Sequence, residues 1–421
     1  MTQTAPAREL ADIYPLTPMQ HGMLVECLAS AEPLYLQQYH LELTGVGSEA
    51  QLRSALGQLV ARHDVLRAGL AWDVGDQPLH VVRAAAQPRL IVEDWRSGTE
   101  ADVAARIGEA LEADRRTPFD LRVPPLMRMR ALRAGDQSWH LIASYHHLVT
   151  DGWSIPLLHA ELVTLASATG DGRPAGLPAP HPFREFVTWQ AAAADAAGDR
   201  RYFTGLLGDV AAATPVGPGL PDLDSWPHTE PGSGRVVLSR QLAGPDIDQA
   251  ASRLGVLPST LVHAAWALAL ARPAGLADVT FGMVVSGRPA ELADVARRVG
   301  MFVNTAVLRI PVPLGTALSG WLKDVRERID EAQLRAQAPL SLALECSGVP
   351  AGTPLLSTVL AFQNYWRAEQ DEIRAGQVQL RVMRRSERVD LPVSAGVAIT
   401  DGGIWIRVDY DTSLISGQEA S

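Results

Sequence analysis

The sequence predicts an α/β protein made of two halves of comparable size. Two observations carry this. Strand-type alternation and capped helical runs alternate through the first half, and the same alternation resumes after a Pro/Gly-rich stretch, Thr214–Gly234. No sequence-level repeat relates the halves, so any kinship between them is structural. At 421 residues the chain is long enough for two to three domains with substantial cores.

Taken in order, Thr17-Pro18-Met19-Gln20 predicts a helix start: a Thr cap, Pro at the first helical position and Gln three residues after the cap. Strand alternation follows at Tyr35–Leu43. Ser48–Gln51 repeats the cap logic before a helix expected to run to about Leu66. A strand at Leu126–Leu132 and the turn Ala134-Gly135-Asp136 lead into a second strand ending near Ser144. Ser154 is expected to cap the next helix, with Pro156 tolerated in its first turn. The second half predicts a strand at Val236–Ser239, a helix at Pro258–Arg272, a strand at Val279–Val285 and a helix at Ala317–Ala336. Strands near Ser357–Phe362, Val378–Met383 and Ile404–Asp409 follow.

Composition removes several classes of function. The net charge of −10 argues against nucleic acid as the main partner. Lys323 is the only lysine, and there is no Gly-Lys-Ser/Thr phosphate loop, which disfavours nucleotide-triphosphate and pyridoxal chemistry. Neither a Gly-x-Ser-x-Gly elbow nor a Gly-x-Gly-x-x-Gly fingerprint occurs. Cys27 and Cys346 are too few for a disulfide framework or a four-ligand zinc site. No apolar run reaches membrane-spanning length; the nearest, Leu257–Ala271, carries His263 and Trp266. Met1–Leu10 lacks a signal pattern, so a cytoplasmic location is expected, without a membrane partner.

The most informative run is Ser144-Tyr-His-His-Leu-Val-Thr-Asp-Gly-Trp-Ser154, where two histidines close a strand and an acid, a glycine and a helix start follow. Successive side chains of a strand face opposite ways, so His146 and His147 cannot serve one site. One is a framework residue and the other faces a cavity. A metal held by both would need side chains converging from opposite faces, so no metal site is expected.

This run resembles the His-His-x-x-x-Asp-Gly motif of nonribosomal peptide synthetase condensation domains, which chloramphenicol acetyltransferase-like enzymes and epimerisation domains share. Five further segments resemble family motifs in order and spacing: Tyr14-Pro-Leu-Thr-Pro-Met-Gln-His-Gly-Met-Leu24, Arg62-His-Asp-Val-Leu-Arg67, Phe183-Arg-Glu-Phe-Val-Thr-Trp189, and Val285-Ser-Gly-Arg-Pro289 with Val299-Gly-Met-Phe-Val-Asn-Thr305. The first two of these, with Ser347-Gly-Val-Pro-Ala-Gly-Thr353, look most like the subtype that accepts a D-configured donor. Two departures stand out. Phe362-Gln-Asn-Tyr365 replaces a Phe-Glu-Asn-Tyr, and a last helix only begins at Ser416, as in a truncated domain.

The resemblance implies two chloramphenicol acetyltransferase-like lobes, residues 1–180 and 181–421, in a V with a central tunnel. A linker would run over about 211–234, and segments around Ala290–Val299 and Arg384–Ala395 would cross between lobes. It also implies amide formation between a donor thioester and the α-amine of an acceptor. Both would arrive on the phosphopantetheine arms of peptidyl carrier domains from adjacent synthetase modules, with the chain a monomer that binds no cofactor of its own.

His147 matches the family's active residue, as general base or as a positioning group, and His146 is structural. Asp151 looks like the acid of a triad, but the resemblance makes it the buried partner of Arg288. Gly152 permits a positive φ or close approach of substrate to the backbone, or is a plain turn glycine before a helix. Trp153 and Ser154 could line the tunnel or belong to the framework, and Asn304 could lie near the site or merely end a strand. Arg115-Arg116, Arg297-Arg298 and Arg384-Arg385 could meet acidic carriers or the pantetheine phosphate, although solvated pairs are commoner. Two rivals remain: an epimerase, which needs a second acid/base group facing His147, and a silent module that recruits partners.

Overall fold

The computed structural model describes residues 9–216, 235–242, 247–313, 315–363, 372–387, 391–400 and 403–411. The first stretch contains β1 (Leu10–Pro15), α1 (Pro18–Ala29), β2 (Leu36–Thr44), α2 (Glu49–Arg62), β3 (Ala68–Ala71), β4 (Leu79–Arg83) and β5 (Arg89–Asp94). Then come α3 (Glu100–Arg115), β6 (Met127–Arg133), β7 (Ser138–His146), α4 (Ser154–Gly170), α5 (Arg184–Ala193) and α6 (Ala196–Leu207). Beyond these lie β8 (Arg235–Leu242), α7 (Ile247–Leu254), α8 (Pro258–Ala274), β9 (Asp278–Val285), β10 (Asn304–Pro311), α9 (Leu318–Leu334) and α10 (Leu340–Glu345). The chain closes with β11 (Thr358–Phe362), β12 (Glu372–Ala375), β13 (Val378–Glu387), β14 (Val393–Thr400) and β15 (Gly403–Asp411).

Two compact units result. The first joins Met1–Ala193 with Arg288–Phe302 and Ala368–Asp390; the second joins Ala194–Gly287, Val303–Arg367 and Leu391–Ser421. The first unit thus runs past residue 180 and takes two segments from late in the chain. Residues 217–234 of the expected linker, 388–390 of the expected crossing segment, Asn364-Tyr365 and the segment from Ser416 lie outside the described residues.

In the first unit a six-stranded sheet has the order β12-β13-β2-β7-β6-β5, and a small sheet has the order β1-β4-β3. Leu41, Leu43 and Leu141 of the large sheet are fully buried, as are Leu52, Leu59 and Val163 of α2 and α4. The second unit builds its own six-stranded sheet, β10-β9-β11-β14-β15-β8, over a core that includes Phe281, Leu308, Val325 and Leu360. Its strand β11 runs parallel to both β9 and β14, while its other pairs are antiparallel.

The caps behave as their side chains dictate. Thr17 accepts from the Gln20 N–H while Gln20 reaches back to the Thr17 N–H, a full capping box. Gln20 is wholly buried, and its amide also donates to the Leu148 carbonyl at 2.7 Å, tying α1 to the loop after the histidines. Helix α2 starts at Ser48 as read, but it stops at Arg62 rather than near Leu66 because His63 turns extended. A short 3₁₀ turn at Val65–Arg67 follows. The His63 ring lies 2.6 Å from the Glu161 carboxylate of α4, and Asp64 accepts from the Phe183 N–H at 3.2 Å. The Arg62–Arg67 motif is therefore a staple of the first unit.

Three histidines of this unit are buried and neutral. Burial pushes His80 down to about 3; burial and then Arg385 do the same for His159, and burial with His147 and Arg128 for His146. In the unfolded chain these rings titrate near the ordinary value of about 6.5. As pH falls below that value the unfolded state takes up protons that the native state refuses, so stability is lost on acidification. Each such histidine steepens the loss by about 1.4 kcal/mol per pH unit in the window between the two values. Urea-unfolding midpoints measured from pH 7 to 4.5 should fall accordingly, and His80→Phe should flatten the slope; a flat profile would contradict buried neutral rings.

Candidate active site

Strand register builds the site. Tyr145 on β7 faces Gln37 on β2, which faces Glu387 at the end of β13. Cross-strand partners share a face. His147, two residues after Tyr145, returns to that face, whereas His146, opposite Leu36, points away. The consequence is direct: His147 Nε2 lies 2.6 Å from Glu387 Oε1. The His147 backbone N–H donates to the Tyr35 carbonyl at 2.8 Å. Tyr35 adopts a left-handed φ of 57°, rare for a bulky residue.

The two rings have opposite electrostatics. His146 Nδ1 accepts from the Leu148 N–H at 3.1 Å, which leaves the proton on Nε2, 3.8 Å from Cys27 Sγ. With its pKa near 3 it stays neutral, packed edge-on against Phe119. For His147 burial disfavours the charged ring, but Glu387, with smaller help from Asp151 and the Thr150 carbonyl, outweighs it and raises the pKa. His147 Nδ1 is buried, and among the described residues none bonds it within ordinary distance and angle, the Thr150 carbonyl lying just near enough to favour the charged ring.

Asp151 and Arg288 form a buried ion pair, with side chains 0% and 4% exposed and Nη2 3.1 Å from Oδ1. Asp151 Oδ1 also accepts from the Ser154 N–H and hydroxyl, each at 2.7 Å, and Oδ2 accepts from the Phe302 N–H at 3.1 Å. Arg288 donates through Nη1 to the carbonyls of Val295 and Arg298, and its guanidinium lies over the Phe302 ring at 4.1 Å. Among the described residues no proton-transfer partner enters this network, because fixed donors already surround both carboxylate oxygens. Asp151 thus holds the loop between β7 and α4 to the segment 288–302.

Several expectations need correction. Ser154 does not cap α4: it is the first helical residue, and the Asp151 carboxylate accepts its N–H instead. Nor does Ser154 face a tunnel; it is fully buried, with its hydroxyl between Asp151 and the Gly300 backbone. Gly152 takes no left-handed conformation, which removes the positive-φ reason for a glycine there. Trp153, half-buried, donates from its indole to the Ala296 carbonyl at 2.9 Å, with Arg288 over its ring at 5.6 Å. Asn304 belongs to the second unit, where it opens β10 and accepts from its neighbour's Thr305 N–H. Among the arginine pairs, Arg298 is buried on Glu185 at 2.7 Å and is no solvated charge. Arg115 and Arg116 both meet Glu112.

Sequence reading missed Glu387, Tyr35, Gly300 and Phe302 as parts of the site. Glu387 lies 240 positions from His147, and only sheet order brings the two together. Gly300 sat inside a quoted motif without its reason: a Cβ there would overlap the Phe183 ring.

Asp151→Asn should destabilise the chain by about 3–5 kcal/mol by stranding Arg288, and Arg288→Met in the same chain should recover part of the loss. Strictly additive losses in a urea double-mutant cycle would show the two are uncoupled. Gly300→Ala should cost about 1–3 kcal/mol through overpacking against Phe183; an unchanged unfolding midpoint would refute that contact.

Known proteins share this architecture. The chain is 30% identical over 397 residues to chondramide synthase cmdD of Chondromyces crocatus, covering 91% of this chain and 10% of the relative. Malpibaldin synthetase of Mortierella alpina is 29% identical over 419 residues, covering 97% of this chain and 7% of the relative. The chain therefore spans no more than about a tenth of the length of these relatives. Among solved structures, the first condensation domain of the calcium-dependent antibiotic synthetase, bound to a substrate analogue, superposes with a TM-score of 0.73 at 22% identity, covering 97% of this chain and 93% of that one. The X-domain in complex with OxyB from teicoplanin biosynthesis gives 0.78 at 20% identity, covering 98% and 92%. At these identities the likeness speaks for the fold. Residues 10–420 match the family model of the condensation domain, and with the motifs held in this geometry the chain belongs to the condensation domain family.

Proposed function

We propose that this condensation domain joins a carrier-bound aminoacyl or peptidyl thioester to the α-amine of a carrier-bound acceptor during nonribosomal peptide biosynthesis. The observation that carries the reading is the His147 imidazole. The register of β7 presents it on the Glu387 side of the sheet, and the Asp151–Arg288 pair locks the loop behind it. The thioester already stores the activation energy, so the protein's task is to orient two reactants and accept a proton.

The acceptor nitrogen attacks the thioester carbon, a C–N bond forms, the C–S bond breaks and the thiol leaves. A neutral His147 accepts a proton from the attacking amine at Nε2, or holds that amine by a hydrogen bond. Donor and acceptor carrier domains of adjacent modules are the partners, their phosphopantetheine arms deliver the substrates, and the setting is cytoplasmic. The motif forms support a D-configured donor.

One observation favours a second reading. An epimerase needs an acid/base group facing His147, and Glu387 is a carboxylate in that position. Solvent deuterium entering the donor α-carbon would mark that activity.

With donors of either configuration and acceptors loaded on separate carriers, mass spectrometry should detect the dipeptidyl-carrier product, with D-donors preferred. His147→Ala should lower its rate by about 10²-fold or more. Because the His147 pKa is raised in the free chain, the neutral ring is scarce below it; at limiting acceptor the rate should climb with pH through a value above the ordinary imidazole range. Absence of product with every donor, while carriers still bind, would sink the proposal.

A further inference from the structure

The atom of His147 that must receive a proton is the atom Glu387 occupies. Nε2 lies 2.6 Å from Oε1, and Nδ1 is buried, with no partner of normal geometry among the described residues. The resting site is thus closed on itself as a carboxylate–imidazole pair. The two members differ in access: the His147 side chain is 8% exposed and that of Glu387 43%. Glu387 therefore faces the water, and anything approaching Nε2 meets its carboxylate first.

Its position is set by the sheet. Eight register pairs hold β13 to β2, from Gln379↔Thr44 to Glu387↔Gln37, with a bulge between Val382 and Arg384. Among the described residues, Asp151 and His146 also lie near His147, and each has its own partners. Asp151 is fully buried on Arg288, Ser154 and Phe302, and His146 is neutral and bonded to the Leu148 N–H. Arg384 and Arg385 lie on β13 opposite His40 and Tyr39, further along the strand.

We infer that Glu387 is the residue that receives the acceptor's α-ammonium and, in doing so, releases His147 from its resting pair. This deepens the condensation reading and rests on it. An α-ammonium has an ordinary pKa of about 7.7–8.0, so the acceptor arrives largely protonated at neutral pH. A carboxylate is the group that binds it, through a charge-assisted hydrogen bond. Once the carboxylate is shared with a second cation, the imidazolium loses its counter-ion and gains a like-charged neighbour. Both effects drive its proton off through the exposed Glu387 edge to solvent. The acceptor ammonium then gives up a proton to solvent, its amine attacks, neutral His147 takes the next, and the departing thiolate takes a proton from solvent. In sum, ammonium and thioester become amide, thiol and one proton in solvent. His147 returns to its starting state.

The test is a titration of the His147 ring by NMR in histidine-labelled chain, assigned with His147→Gln. L-leucinamide, which carries a free α-ammonium, should lower the His147 pKa by about one unit, and N-acetyl-L-leucinamide should not. Glu387→Gln should lower the starting pKa and abolish the response, while Glu387→Asp should keep part of it. In the carrier assay Glu387→Gln should raise the acceptor KM about tenfold and leave the donor KM unchanged. Identical His147 titrations in wild type and Glu387→Gln, or equal responses to both amides, would overturn the assignment. If His147 responds to the ammonium yet no donor gives product, the ammonium site stands and the condensation reading fails.

Discussion

The buried pair between Asp151 and Arg288 is the constraint on which the rest of the site depends. It closes a circuit from the end of β7 through α4 to the segment 288–302, and every oxygen of the carboxylate is spoken for. A buried ion pair is weak evidence for net stability, since its desolvation cost competes with the Coulomb gain. Its value here is geometric. Removing either partner leaves a charge with nowhere to go, so the loop has one arrangement that satisfies the pair. That arrangement sets where His147 leaves the sheet.

Two carboxylates influence His147, and their environments divide the labour. Asp151 is enclosed and fixed, contributing a steady field that favours the protonated ring. Glu387 is half-exposed and in direct contact, so its influence can change when something else arrives. His146 is set apart from both by strand parity and by its bond to the Leu148 N–H, which leaves it inert across the physiological range. One doublet therefore contains a ring tuned toward charge and a ring held away from it.

How much of this was readable from sequence follows from the range of each interaction. The Thr17 capping box and the Ser48 cap are encoded within four residues, and both formed as the spacing implies. The opposed faces of His146 and His147 follow from strand period alone. Asp151 was linked to Arg288 through motif resemblance, because no local rule connects positions 137 apart. Glu387 escaped entirely: it belongs to a strand far down the chain, and its neighbour across the sheet is Gln37, near the chain's start. Ser154 was misread because helix-cap logic favours serine, whereas the acid three residues earlier accepts the helix N–H more strongly.

The doublet has a consequence for how the strand keeps its register. Shifting β7 by one residue would exchange the faces of its side chains, yet it would still leave a histidine turned toward Glu387. The imidazoles alone are therefore blind to the slip. Asp151 is not repeated in this way, and its bonds to Arg288 and the Phe302 N–H single out one position. Proofreading of the strand thus falls to an acid five residues from the first histidine.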